Sequence, residues 1–171
     1  MPSPALFLDR DGVINRRLPD AYVRHPDEFE LLPDILPILV QARQHGMLLI
    51  LITNQQGVGK GLMTHAELNV VHDHMQHLLQ RHTGFALDAI YACTDLATTA
   101  SERRKPAPGM LLEAIAEHDI DVTASWFLGD SLTDAQAGRA AGVRTILVGP
   151  FQASDADVVV PDLASVRIIA P

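Results

Sequence analysis

Short apolar segments that alternate with helical patterns constrain the fold of this chain more than any other feature. Six segments of three to five residues are apolar and rich in residues that favour strands. Parallel strands need long crossover connections, usually helices, so the alternation predicts a mostly parallel sheet with helices packed on it. The predicted strands are Ala5–Leu8, Leu48–Ile52, Ala89–Ala92, Trp126–Leu128, Thr145–Val148 and Val158–Val160.

Helix signals lie between these predicted strands. Thr64 and Glu67 have the spacing of a capping box, apolar residues follow at helical spacing, and Gly84 marks the end. Right-handed crossovers then predict a three-layer α/β/α sandwich with a Rossmann-like sheet, formed by one domain over residues 1–171. The predicted helices are Pro33–Gln44, the segment after Thr64, Pro108–His118, Leu132–Ala141 and a short helix capped by Asp162.

Composition excludes several classes of protein. The formal charge of −8 opposes a general nucleic-acid surface, which is normally basic. A single cysteine, Cys93, allows no internal disulfide and suits a reducing compartment. The longest apolar runs are too short to span a bilayer, and no signal peptide is evident. We therefore expect a cytoplasmic monomer that binds neither nucleic acid nor membrane.

The first predicted strand ends in two carboxylates. Asp9 and Asp11 follow it directly, and Gly12 allows the backbone to turn beside them. Ligands of open α/β sheets bind at the carboxyl ends of the strands, and two acids so close repel unless a cation compensates. The pattern suits a Mg²⁺ site that handles phosphate. A solvated Asp-x-Asp-Gly turn is the alternative.

Three further polar groups are predicted at the same edge of the sheet. Thr53, Asn54 and Gln55 come directly after the predicted second strand, and Asp130 follows the fourth. Arg104 and Lys105 come just before the third long helix. Carboxylates for a metal, a hydroxyl and cations for phosphoryl oxygens are the groups that phosphoryl transfer needs.

Other residues allow two interpretations each. Asp134 either caps a helix with Ser131 or orients a metal-binding residue without contacting the metal itself. Residues 57–61 are interpreted as a mobile flap in which Lys60 is a candidate substrate contact, because the Walker spacing is absent.

Several charged residues are interpreted as part of the surface, and Cys93 as a small buried side chain. Arg16 and Arg17 are expected to be surface charges, although their loop could touch substrate. A group of histidines crowds one predicted helix and is expected to form a solvated face; its members are His65, His72, His74, His77 and His82.

The polar segments together resemble the haloacid dehalogenase (HAD) superfamily of phosphatases. Residues 9–13 are similar to its first motif, and Thr53-Asn54, Lys105-Pro106 and Gly129-Asp130 with Asp134 to the other three. Tyr22-Val23 and residues 108–112 are similar to a capless branch that includes heptose-bisphosphate and histidinol-phosphate phosphatases. The resemblance implies a fold without a large cap domain.

The resemblance also implies an activity and a cofactor. It implies a Mg²⁺-dependent phosphomonoesterase in which Asp9 is the nucleophile and Asp11 the general acid and base. Asp9, the backbone carbonyl of Asp11 and Asp130 would bind Mg²⁺, while Thr53 and Lys105 would bind phosphoryl oxygens.

The implied substrate is a small sugar phosphate, with the 7-phosphate of a heptose 1,7-bisphosphate as the first expectation. Arg104 would bind the second phosphate, and further substrate contacts are expected from Arg10, Tyr22, Asn54 and Gln55. Histidinol phosphate or another small ester is an alternative substrate. A receiver-type signalling module, which is phosphorylated without turnover of a substrate, is the alternative outside enzymes.

One segment departs from the resembled branch. Members with a structural zinc have Cys or His at four positions, where this chain has Cys93, Asp95, Ser101 and Arg103. A closed zinc site needs four good ligands, so we expect no zinc.

Overall fold

The computed structural model of the protein describes residues 1–168 and contains a six-stranded, all-parallel sheet. The order of the strands across the sheet is β3-β2-β1-β4-β5-β6. The strands are β1 (Ala5–Leu8), β2 (Leu48–Asn54), β3 (Ala89–Cys93), β4 (Trp126–Gly129), β5 (Arg144–Val148) and β6 (Val158–Val160).

All six predicted strands are present, and β2 is longer than predicted. The sequence places its end at Ile52, but pairing continues from Thr53 to Ala92 and from Asn54 to Cys93 of β3. Thr53 and Asn54 are therefore the last residues of a strand and not part of the following loop.

In the part of the chain that the structure describes, five α-helices accompany the sheet, together with 3₁₀ turns at Pro26–Glu28, Val122–Ala124 and Leu163–Ser165. Thr64 caps the third helix, and Gly84 ends it in the left-handed conformation with φ 85°, as the sequence predicts. The α-helices are α1 (Ile35–Gln44), α2 (Gln56–Gly59), α3 (His65–Thr83), α4 (Gly109–Glu117) and α5 (Leu132–Ala140).

The predicted three-layer α/β/α sandwich is confirmed by how alternate residues of the strands pack. Leu6 and Leu8 of β1 belong to a buried cluster with residues of α1 and α3. Ala5 and Phe7 face the other way and pack with residues of α4 and α5. Strands buried on both faces are continuous apolar runs, which is how β1 is composed.

The order of the strands determines where a ligand can bind. β1 leads to β2 and β3 on one side of the sheet, while β4, β5 and β6 lie on the other side. A crevice forms at the carboxyl ends of β1 and β4, where the direction of winding reverses. Receiver modules have the order 2-1-3-4-5, so the fold does not support the signalling alternative.

The helix α2 differs from the predicted flap at residues 57–61. Gln56–Gly59 form one helical turn, in which a Cβ on Gly59 would lie 2.2 Å from the Thr94 carbonyl oxygen. The turn therefore packs closely against the loop that follows β3. Within residues 1–168, no helix combines the length and the apolar character that crossing a membrane requires.

Candidate active site

Two carboxylates meet at the crevice because each follows one of the two central strands. Asp9 comes directly after β1, and Asp130 directly after β4. Gly12 makes the approach possible: its φ is +86°, and a Cβ on it would lie 1.9 Å from Oδ2 of Asp130. Only glycine fits both this conformation and this spacing.

A buried ion-pair network connects Lys105 with the acids. The Lys105 ammonium lies 3.0 Å from Oδ1 of Asp9 and 2.7 Å from Oδ1 of Asp134. It also donates to the Ile52 carbonyl at 2.9 Å. Burial alone would lower the pKa of Lys105, but Asp9 and Asp134 raise it, so the ammonium is retained.

Asn54 fixes the backbone of Lys105. Its Oδ1 accepts from the Lys105 N–H at 3.1 Å, and its Nδ2 donates to the Lys105 carbonyl at 3.1 Å. The asparagine at the end of β2 therefore connects that strand to the segment before α4, although it also lines the cleft beside the acids.

Asp134 caps α5, as one of its two interpretations predicts, and it also contacts the segment that carries Asp130. Its Oδ2 accepts from the backbone N–H groups of Asp130 and Ser131, each at 3.1 Å, and from the Ser131 hydroxyl at 2.9 Å. Its other oxygen pairs with Lys105. The residue caps α5 and, through the same carboxylate, orients the backbone of Asp130.

The charge distribution favours a bound cation. Carboxylate oxygens of Asp9, Asp130 and Asp134 lie within 4.8 Å of one another. Burial, together with the neighbouring Asp134, raises the pKa of Asp9 well above its usual range despite Lys105. Burial also raises the pKa of Asp130, although Arg17 acts in the opposite direction. Clustered carboxylate oxygens are preferred Mg²⁺ ligands, so this donor set fits that ion.

Arg17 is exposed, as expected, but its side chain also reaches this cluster, a contact that the sequence did not predict. Its Nη2 donates to Oδ1 of Asp130 at 2.8 Å and points toward the Asp11 carbonyl at 3.5 Å. These two acceptors are two of the predicted Mg²⁺ ligands. Arg16 follows the expectation, because it pairs with Glu30 at the surface.

Asp11 is surrounded by hydrogen-bond donors. Arg10 donates to both of its oxygens, at 3.0 and 3.2 Å, and Asn15 and Gln55 each donate to one oxygen at 2.9 Å. Burial opposes ionisation, but Arg10 and these hydrogen bonds together lower the pKa of Asp11. These three side chains together therefore fix the orientation of the Asp11 carboxylate.

Arg10 and Gln55 do not have the positions expected of substrate contacts. The Arg10 side chain is completely buried, and Gln55 is nearly so, because both point inward to Asp11. Thr53 is also buried, and its hydroxyl accepts from Gln55 at 2.9 Å. Arg10 and Gln55 contact Asp11 directly, Thr53 contacts Gln55, and none of the three is among the residues that line the cleft.

An open cleft of about 780 Å³ lies above the acids. Its lining includes Asp9, Asp11 and four cationic residues, which are Arg17, Lys60, Arg104 and Lys105. Tyr22 forms part of the wall, where its hydroxyl accepts from Lys60 at 2.9 Å. The ring of Tyr22 packs on Gly57, at which a Cβ would lie 2.9 Å from the ring.

Four residues stand where the resembled branch has zinc ligands, and each of them forms a polar contact. They are Cys93, Asp95, Ser101 and Arg103. The Ser101 hydroxyl donates to Oδ2 of Asp95 at 2.6 Å, and the buried Cys93 thiol donates to the same oxygen at 3.5 Å. Arg103 forms an ion pair with Glu113 of α4 at 2.7 Å. A polar network therefore connects the loop before Arg104 to β3 and α4.

His72 differs from the solvated histidine face that the sequence suggests. It is buried on the inner side of α3, and its Nε2 lies 3.2 Å from Nη1 of Arg10. Burial and the positive charge of Arg10 lower the pKa of His72 to about 3. His65, His77 and His82 are exposed, as expected.

Comparison with known proteins agrees with the fold and the site. The HAD-hydrolase-like family matches residues 102–166. A D-glycero-D-manno-heptose-1,7-bisphosphate 7-phosphatase of Thermosynechococcus vestitus is 33% identical over 96% of this chain and 94% of its own length. A D-glycero-beta-D-manno-heptose-1,7-bisphosphate 7-phosphatase of Helicobacter pylori is 38% identical over 84% of this chain and 82% of its own.

A solved structure is also similar over nearly the whole chain. The D,D-heptose 1,7-bisphosphate phosphatase of B. bronchiseptica, crystallised with magnesium and phosphate, superposes with a TM-score of 0.84 at 35% identity. The match covers 95% of this chain and 94% of that one.

A doubly wound sheet that brings carboxylates and a buried lysine to the β1–β4 crevice defines a phosphoryl-transfer hydrolase. The chain belongs to the HAD phosphatases, in the branch formed by the heptose-bisphosphate phosphatases. HAD phosphatases use Mg²⁺, and the acidic cluster of this chain fits that ion.

We predict that Arg17→Met tightens Mg²⁺ binding to the substrate-free protein. The guanidinium competes for the Asp130 carboxylate, so removing it should lower the dissociation constant roughly fivefold, as for an ion pair of about 1 kcal/mol. Isothermal titration with MgCl₂ measures the change. Arg16→Met is the matched control, and unchanged or weaker binding in Arg17→Met would contradict the competition.

We predict that the purified protein contains no stoichiometric zinc. The four positions in question offer a thiol, a carboxylate, a hydroxyl and a guanidinium, which is a poor set for a closed zinc site. Elemental analysis by mass spectrometry after growth with added zinc provides the measurement. One zinc per chain, retained through dialysis against a mild chelator, would show that the prediction is wrong.

We predict that His72 makes the protein less stable in acid. The unfolded chain takes up a proton at His72 near pH 6.5, whereas the folded protein does so only near pH 3. Stability is therefore lost as the pH falls through this window, by about 2 kcal/mol at pH 5. Urea unfolding at pH 7 and pH 5 should show a smaller loss for His72→Gln, and equal losses would contradict the assignment.

Proposed function

We propose that this protein removes the 7-phosphate from D-glycero-D-manno-heptose 1,7-bisphosphate. The observation that carries the proposal is that the four cations of one cleft form two sets with different partners. Lys105 and Arg17 contact the acids, whereas Lys60 is bound to Tyr22 and Arg104 to the Asp95 carbonyl oxygen. A bisphosphate offers an anionic group to each set. The names of the relatives from T. vestitus and H. pylori support this substrate.

In the proposed first step, a carboxylate oxygen of Asp9 attacks phosphorus in line with the ester oxygen. The new bond joins Asp9 to phosphorus, the bond from phosphorus to the ester oxygen breaks, and an aspartyl phosphate results. Lys105, 3.0 Å from Asp9, supplies positive charge beside the transferred group. Bound Mg²⁺, held by Asp9, Asp130 and the Asp11 carbonyl, would neutralise carboxylate and phosphoryl charge.

Asp11 is proposed to move the protons in both steps. It gives a proton to the leaving sugar oxygen, and in the second step it takes one from the water that hydrolyses the aspartyl phosphate. The hydrogen bonds from Arg10, Asn15 and Gln55 favour its ionised form, which is the form that the second step requires. For the first step, Asp11 must gain a proton when the anionic substrate binds.

A substrate panel tests the proposed function. Phosphate release is measured with Mg²⁺ for heptose 1,7-bisphosphate in both anomers, heptose 7-phosphate and histidinol phosphate. We expect the highest kcat/KM for one anomer of the bisphosphate, with loss of the 7-phosphate. A clear preference for histidinol phosphate would contradict the proposed substrate but would still support phosphatase activity.

We predict that Asp9→Asn abolishes turnover and leaves the fold intact. An amide fills the same volume but cannot attack as an anion, so the loss should reach the detection limit. Phosphate release and circular dichroism provide the two measurements. Asp20→Asn, at the rim of the same cleft, is the control and should retain most activity. Activity of Asp9→Asn near the wild-type level would contradict the assignment of Asp9 as the nucleophile.

We predict that Arg104→Ala discriminates between substrates. If Arg104 binds the phosphate that is not cleaved, its loss should raise KM for the bisphosphate roughly 10- to 100-fold, as for a charged hydrogen bond. The effect on heptose 7-phosphate should be small. Lys105→Ala should impair both substrates alike, because Lys105 lies beside Asp9. Equal losses in Arg104→Ala would argue for a monophosphate substrate.

A further inference from the structure

A buried polar connection joins helix α3 to Asp11. Arg10 lies in its middle, with a side chain that is completely shielded from solvent. One end of the guanidinium, Nη2, donates to both oxygens of Asp11, and Nη1 lies 3.2 Å from Nε2 of His72. The Nε of Arg10 has no hydrogen-bond partner among residues 1–168. The orientation of this buried cation therefore depends on two contacts, one of them with His72.

The direction of the hydrogen bond follows from the chemistry of the two groups. A guanidinium only donates, so the His72 ring must accept with Nε2 and carry its proton on Nδ1. This requires the neutral imidazole. Burial and the charge of Arg10 lower the pKa of His72 to about 3, which agrees with a neutral ring at physiological pH.

A buried charge without an acceptor is costly, so Arg10 would shift if the acceptor were removed. Asp11 would then lose the donor that contacts both of its oxygens. Asn15 and Gln55 would still donate to one oxygen each, so Asp11 would keep two of its four hydrogen bonds and would be held less firmly. Small errors in the position of a catalytic group reduce rates strongly.

We propose that His72 is a positioning residue that fixes Arg10 and, through it, the carboxylate of Asp11. His72 lies on α3 and is not among the residues that line the cleft, so its effect on Asp11 is transmitted through Arg10. The inference rests on the proposed function, because it assumes that Asp11 transfers protons during ester hydrolysis. It assigns a kinetic role to α3, which also contributes side chains to the buried core.

Two substrates separate positioning from simple loss of structure. A sugar alkoxide leaves poorly and needs the proton of Asp11, whereas p-nitrophenolate leaves without one. With p-nitrophenyl phosphate, formation of the aspartyl phosphate on Asp9 should therefore not depend on Asp11. Its hydrolysis still requires Asp11 to accept a proton from water.

The experiment compares wild-type protein with His72→Leu, His72→Gln and the control His77→Leu, whose histidine is exposed on the same helix. For heptose bisphosphate, His72→Leu should lower kcat about 10- to 100-fold with KM changed less than about twofold. With p-nitrophenyl phosphate it should show a burst of about one p-nitrophenolate per chain, then slow turnover. His72→Gln keeps an acceptor and should recover most of the lost rate.

Each outcome decides the inference. Wild-type kinetics in His72→Leu would overturn it, and so would an equal loss of burst and turnover on both substrates, which indicates fewer folded sites. If His72→Leu does not fold, His72→Asn, whose amide is too short to reach Arg10, should give the same kinetics. A wild-type protein that hydrolyses none of these esters would refute the proposed function, and the role of His72 with it.

Discussion

The buried ammonium of Lys105 is the interaction on which the active-site edge of the sheet depends. It contacts Asp9 after β1, Asp134 at the start of α5 and the carbonyl of Ile52 in β2. Three elements distant in sequence thus share one charge. Removing one member of a buried ion pair leaves the others uncompensated, at a cost of several kcal/mol. The geometry of the site and the stability of this edge are therefore linked.

The same network leaves the site with too little positive charge. Lys105 neutralises one of the two buried carboxylates that it contacts, and the pKa values of Asp9 and Asp130 are raised because burial disfavours their charge. Arg17 reduces the imbalance from the loop that follows β1. A divalent cation reduces it further and adds the charge that a phosphoryl group needs. The way in which the acids are buried thus favours a bound metal ion at this site.

Local sequence patterns predict most of the fold, since periodicity, the Thr64 cap and Gly84 each act over a few residues. They also predict that Asp9 and Asp130 meet, because parallel strands end at one edge. The directions of long side chains are less predictable. The sequence predicts that Arg10 contacts substrate, yet its side chain is buried and points inward. Arg17 contacts Asp130, which lies 113 positions further along the chain. Such contacts depend on tertiary packing, which a single sequence does not encode locally.

The site combines residues next to rigid central strands with residues on variable connecting segments. Asp9 and Asp130 are attached to central strands, where pairing on both sides fixes them. The candidate substrate contacts Arg17, Lys60 and Arg104 come from connecting segments, whose lengths and residues can change without disturbing the sheet. In the proposed function, residues at the strand ends attack the phosphate ester, and residues of the loops select which ester is bound. The polar network formed by Asp95, Ser101 and Arg103 lies in one of these connecting segments, directly before Arg104.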